Sequence, residues 1–391
     1  MPSLKGSFRL DSLPAAPFYL GFVVAGMATV LLGPILPELS ARWSLSDLQA
    51  GSLFVAQFFG STLGAILASH FSRGCLIFGY ASVAAGLAAL ALGDYGVVLL
   101  AFALLGVGLG SATTATNLLF GTERPDRRGA MLTRVNLFWG IGAVCCPPYI
   151  AAAVGPGTLR LLLLGLSLGA LGVFGAIAAL LLRVHRTANE RDWSHRDTRL
   201  SPLVFILFSL LLFLYVGAET SISGWIATYA YRFDQLTLAR SGLFVSAFWV
   251  SIVFGRAVIP LLVRRAPEFV VLTSGVIAAL CGMSSLLFRQ TPLLTLAAVS
   301  VAGMGCAPIF PLAVARLLAR IGYSRHAGWI FAICGAGGAV LPWATGLYSA
   351  HAGSLRIAFV VPLAAMAGVL FLVLIERSLP VEHREARAVS P

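Results

Sequence analysis

"RVHRTANERDWSHRDTRLS", residues 183–201, is the longest polar stretch in the chain, and its position decides how the rest is read. About six apolar runs lie before it and about six after, each of roughly 18–25 residues. A helix of that length crosses about 30 Å of hydrocarbon at about 1.5 Å per residue. The chain is 59% hydrophobic and 11% charged, with a mean hydropathy of +0.91. That is too little charge to cover a water-soluble domain of this size. Glycine and proline are abundant, at 41 and 19 residues, as transmembrane helices allow and soluble helices resist. The expectation is an all-α membrane protein with 12 transmembrane helices in two six-helix repeats. Its parts are a tail over 1–17, a bundle over 18–182, the linker 183–201, a second bundle over 202–375 and a tail over 376–391.

The net charge of +12 orients the chain rather than binding nucleic acid. If the N-terminus is cytoplasmic, 20 of the 27 basic residues fall on the cytoplasmic side, six fall outside, and Arg256 lies within a span. The positive-inside rule then puts both termini and the linker in the cytoplasm, and a bacterial inner membrane is expected. The first residues, "MPSLKGSFRLDSLPAAP", carry no cleavage pattern and read as a retained tail. The six cysteines show no CxxC or Cys/His ligand spacing and read as small packing residues.

Several chemistries drop out. Lys5 is the only lysine, so neither a GxxxxGK[ST] phosphate loop nor a Schiff-base lysine is available within the spans. No HExxH pair occurs, and "SISG" (221–224) lacks the glycine and the histidine of a serine protease site. No enzyme, cofactor or metal is expected, and secondary transport remains.

A weak repeat relates the two halves. "LFVAQFF" (53–59) matches "LFVSAFW" (243–249), "GVGLG" (106–110) matches "GMGCA" (303–307), and "GIGAVCCP" (140–147) matches "GAGGAVLP" (335–342). Duplicated halves are a transporter signature, with the substrate near the midplane between them. This layout resembles the major facilitator superfamily. "WSLSDLQAGSLFVAQFFGSTLG" (43–64) resembles its second-helix entry, and "RVNLFWGIGAVCCPP" (134–148) with "GAETSISGWIATY" (217–229) resembles its fucose and sodium/glucose transporter-like branch. The resemblance implies alternating access by a monomer that takes up a sugar-like small molecule. One departure stands out. The superfamily's Gly-x-x-x-Asp-Arg loop is replaced by "AILASHFSR" (65–73), with Ala65, Ser69 and His70 at those positions, so a charged cytoplasmic latch is not expected there.

Of the 15 acidic residues, Glu219 alone lies deep in an apolar run. An ionised carboxylate at mid-span costs roughly 2.5–3.5 kcal/mol on insertion scales, so it faces a cavity or a partner. It reads as the coupling group for H+ or Na+, with a structural carboxyl as the alternative. Arg256 is the one candidate cation. Counted from the linker-side ends near 202 and 264, Glu219 lies about 25 Å up and Arg256 about 12 Å up. A direct salt bridge is therefore not expected, and Glu219 reads as free to titrate. The repeat maps it onto Thr29, so only one half carries the acid.

A sugar is bound by side chains offering donors and acceptors, with aromatic rings against its C–H face. Gln57, Asn117 and Asn136 are the candidate polar residues, helix-to-helix bonding being the rival role for the two asparagines. Trp139, Trp225, Tyr229, Trp249 and Trp329 are the candidate aromatics, with interfacial anchoring the rival for Tyr229 and Trp329. Arg256 is a candidate gate residue. Pro147 and Pro148 are expected to break the fifth span, and Pro308 and Pro311 the tenth. The function expected is cation-coupled uptake of a neutral sugar or polyol. The rivals are a proton-coupled exporter of amphipathic molecules and a transport-dead sensor on the same scaffold.

Overall fold

The computed structural model describes residues 15–70, 72–123, 128–153, 157–183, 201–288, 291–321 and 325–378. Most of both tails and nearly all of the linker lie outside these ranges, so their expected cytoplasmic placement is not part of the described structure. The described residues form fifteen helices and no strand.

In the first half, α1 (Ala16–Val30) and α2 (Leu32–Trp43) make one span bent by 41° at Leu31. Then come α3 (Asp47–His70), α4 (Ser72–Leu92), α5 (Tyr95–Glu123), α6 (Arg128–Ala151) and α7 (Thr158–Arg183). In the second half, α8 (Pro202–Phe233), α9 (Leu238–Leu262) and α10 (Glu268–Ser285) precede a second broken span, α11 (Pro292–Cys306) with α12 (Ile309–Ile321). The chain ends with α13 (Arg325–Ala352), the short α14 (Leu355–Ala358) and α15 (Val360–Ser378). Among the described residues nine spans are long and apolar enough to cross a membrane, or ten with the α1–α2 pair. Two further long helices among the described residues, α6 and α13, have 24 and 28 residues and are consistent with the expected twelve. They carry the "GIGAVCCP" and "GAGGAVLP" repeat and pack mainly against other helices.

Local sequence explains the ends. Before α3, Ser46 and Gln49 form a capping box: the Ser46 N–H donates to Gln49 Oε1 at 2.9 Å, and the Gln49 N–H to Ser46 Oγ at 3.3 Å. Thr237 caps α9, and Pro202 and Pro292 occupy first turns, where a missing N–H costs nothing. The first span runs on to Trp43, because α2 carries Pro34 and Pro37 within a continuous helix. Pro147 and Pro148 do not break the fifth span, contrary to expectation; α6 passes through both and ends at Ala151. The carbonyls that lose a backbone donor there are those of Ala143 and Val144, and Ser246 Oγ of α9 donates to the latter at 3.1 Å. The tenth span does break, with Pro308 between α11 and α12 and Pro311 in the first turn of α12.

Small residues set the packing, since lipid tails give no hydrophobic drive for helix association. At Gly106 and Gly110 of α5, an added Cβ would stand 1.9 Å from the Gln57 and Ser61 carbonyl oxygens of α3. The "GVGLG" motif is thus a close helix contact. The halves meet where α2 packs on α8 and α9, α3 on α13, and α6 on α9. Large apolar side chains such as Phe59, Leu100 and Leu293 stand exposed on the outer faces, as a bilayer requires.

Candidate transport pathway between the two halves

One end of the interface is clasped by polar groups. Asp47, at the first turn of α3, accepts two bonds from Arg232 in the last turn of α8, at 2.7 and 2.9 Å. Ser349 of α13 donates to the same carboxylate. The capping box fixes Asp47, and the helix N-terminus favours its charge. Beneath it Trp225 is fully buried, its indole N–H donating to the Pro342 carbonyl at 2.9 Å and its ring against Phe54 of α3. Gly33 of α2 lies against the Ser223 carbonyl of α8, where an added Cβ would sit 2.5 Å away. This end is closed. Nearer the linker, α5 and α12 share no comparable interface among the described residues.

The sequence reading missed the Asp47–Arg232 clasp. The residues are 185 positions apart, and each looked like an ordinary charge at a helix end. A capping box that presents an aspartate at a closing face was the available signal.

Glu219 lies 13 residues before Arg232 on α8, about 20 Å deeper. It is not free. Tyr215, one turn earlier, donates its hydroxyl to Glu219 Oε1 at 2.8 Å, and Arg256 Nη2 stands 3.8 Å from the same oxygen. The expectation that depth forbids an Arg256–Glu219 pair is therefore corrected. It assumed equal linker-side ends, whereas α8 has 32 residues and α9 only 25. From their shared turn at 234–237 the two residues differ by about 6 Å in depth, within an arginine's reach. The pair is loose, and Arg256 Nε is buried without a hydrogen-bond partner.

A second cluster gathers on one turn of α1. Gln57 of α3 donates its amide to the Thr29 carbonyl at 2.9 Å, beside the α1–α2 break. Trp139 of α6 reaches the same turn, its carbonyl so close to Gly26 that a Cβ there would lie 2.0 Å away. Trp249 of α9 meets Trp139 edge to face, with ring centroids 5.2 Å apart. Gln57 Oε1 and Trp249 Nε1 are both buried and have no partner. One acceptor on α3 and one donor on α9 thus stand unpaired, the donor at the contact between the halves.

The other candidates are placed differently. Trp225 and Tyr229 are fully packed, with Tyr229 donating to the Leu286 carbonyl at 2.9 Å, so neither opens on this cluster. Trp329 is 59% exposed in the second turn of α13. Asn136 is exposed and donates to the Leu132 carbonyl of its own helix, while Asn117 Oδ1 is buried without a partner.

Comparison with known proteins agrees with this architecture. A family profile described as Major Facilitator Superfamily matches residues 18–321. The Saccharomyces cerevisiae protein named Bypass of stop codon protein 6 is 24% identical over 383 residues, covering 85% of this chain and 76% of that one. A structure of the E. coli fucose:proton symporter FucP superposes with a TM-score of 0.61 at 18% identity, covering 95% of this chain and 100% of that one. A bacterial homologue of the human lysosomal transporter Spinster, in an inward-facing and occupied conformation, gives a TM-score of 0.72 at 13% identity, covering 96% and 98%.

Proposed function

We propose that this chain, which belongs to the Major Facilitator Superfamily, couples proton entry to the uptake of a neutral sugar or polyol by alternating access. The observation that carries the coupling is the Tyr215–Glu219–Arg256 group, a carboxylate held in mid-span by one hydroxyl and one loose guanidinium. Burying such a charge is costly, and function is the usual reason it is kept. The guanidinium at 3.8 Å repels a second metal cation, whereas a proton passes along a hydrogen bond. Protonation of Glu219 releases Arg256 from its partner, so the two helices it links gain freedom to move.

The uncharged substrate is supported by the second cluster. Gln57 Oε1 is an unpaired acceptor and Trp249 Nε1, beside the Trp139 ring, an unpaired donor, and the hydroxyls of a sugar or polyol can serve both kinds of group. With the clasped end closed, the arginine bias supports reading that end as external and the linker as cytoplasmic. The structure is then an inward-facing stage of the cycle.

Purified protein in liposomes tests this. Counterflow with a sugar panel and an amphipathic drug panel should show exchange of a sugar, and an inward proton gradient should drive its accumulation. Exchange confined to the drugs would overturn uptake of a sugar in favour of an exporter. Accumulation driven by Na+ alone would overturn the proton.

A further inference from the structure

Tyr215 has one hydroxyl proton and two acceptors. Its Oη lies 2.8 Å from Glu219 Oε1 and 3.1 Å from the carbonyl oxygen of Cys306, the last residue of α11. Its ring also packs on Phe310 in the first turn of α12, with centroids 6.2 Å apart. A single side chain on the unbroken α8 therefore touches both sides of the break in the tenth span. In the first half the break falls instead within the span that carries Thr29, the repeat counterpart of Glu219, and Gln57 donates to the Thr29 carbonyl beside it.

We infer that Tyr215 is a positioning residue that reports the charge of Glu219 to the α11–α12 break. A phenol can donate only once. While Glu219 is a carboxylate, the Tyr215 proton goes to Oε1, because a bond to a charged acceptor is the stronger. When a proton arrives from the water-open side, Glu219 becomes a carboxylic acid. Its own O–H then donates to Tyr215 Oη, and the phenol proton turns to the Cys306 carbonyl. No proton leaves the tyrosine; the one gained by the carboxyl stays there. The break acquires a hydrogen bond in one state and lacks it in the other. The groups facing Glu219 are Tyr215 on its own helix, Arg256 from α9, and the thiols of Cys306 and Cys334 from α11 and α13. From α2 and α15, Gly33 and Gly368 meet α8, and neither titrates.

This inference rests on the reading of Glu219 as the proton site, and its test has a readout besides transport. Hydrogen exchange of the amides of Ala307, Ile309, Phe310 and Leu312 is measured on the full chain in nanodiscs across pH. Rates are corrected for intrinsic exchange and referenced to the unbroken α5. The wild type should show two protection levels differing about fivefold to tenfold. Tyr215→Phe keeps the ring on Phe310 and should show one level at every pH. Glu219→Gln keeps a donor for Tyr215 Oη and should hold the low-pH level throughout. A wild type with one level, or a Tyr215→Phe or Glu219→Gln protein that still switches with pH, overturns the relay. Two levels in the wild type without proton-driven accumulation would leave the relay standing and remove the transport reading. The reverse pattern would remove the relay alone.

Discussion

Asp47 and Arg232 join the two halves of the molecule by a two-pronged ion pair at 2.7 and 2.9 Å, reinforced by Ser349 on the same carboxylate. The pair is only partly screened, with side-chain exposures of 11% for Asp47 and 34% for Arg232. It spans the seam that alternating access must open. Its strength therefore sets the balance between conformations more than the stability of either bundle.

Asp47→Asn should shift that balance toward opening of the clasped end. Loss of a charge-assisted bond of about 1.5 kcal/mol corresponds to roughly a tenfold change in population. Spin-label distances between the α3 and α8 ends would show a longer component grow. An unchanged distance distribution would mean that Trp225 and its neighbours hold this end without the ion pair.

Glu219→Gln should abolish uphill accumulation and spare counterflow, because the amide keeps shape and hydrogen bonding but carries no exchangeable charge. The two activities are compared on the same purified protein. Uphill accumulation that persists would reduce Glu219 to a structural carboxyl.

Trp249→Ala and Gln57→Leu should each weaken substrate binding about tenfold, or about 1–2 kcal/mol, by removing a ring face or a polar partner. Binding measured on folded, membrane-inserted protein is the check. Equal affinity in both variants would place the substrate elsewhere on the seam.

Arg316→Ala should lower thermal stability by about 3 kcal/mol, since it removes the guanidinium that Glu376 holds between α12 and α15. Glu376 is almost fully buried, which is why the cost exceeds that of a surface pair. An unfolding midpoint within a degree of wild type would refute it.

A single cysteine placed in 183–201 should react with a membrane-impermeant reagent only from the cytoplasmic side. Labelling from outside would invert the assignment of the clasped end and the direction of the cycle.

Sequence alone made legible the all-α membrane class, and it singled out Glu219 as an acid deep within an apolar run. These are one-dimensional properties. A bilayer imposes a minimum length on every apolar run and a cost on every buried charge, and both can be read along the chain. The kink at Pro308 was legible for a similar reason, since a missing N–H acts locally. The tertiary structure alone decided who meets whom. Arg256 reaches Glu219 because α8 is seven residues longer than α9 and the two are level at their shared turn, not at their far ends. Tyr215 was read as part of an apolar helix, yet it sits one turn from Glu219 and against the Cys306 carbonyl, 91 residues away. The Asp47–Arg232 clasp likewise depends on how one bundle is rotated against the other. Hydropathy records how deep a residue lies, but not the direction in which its side chain points.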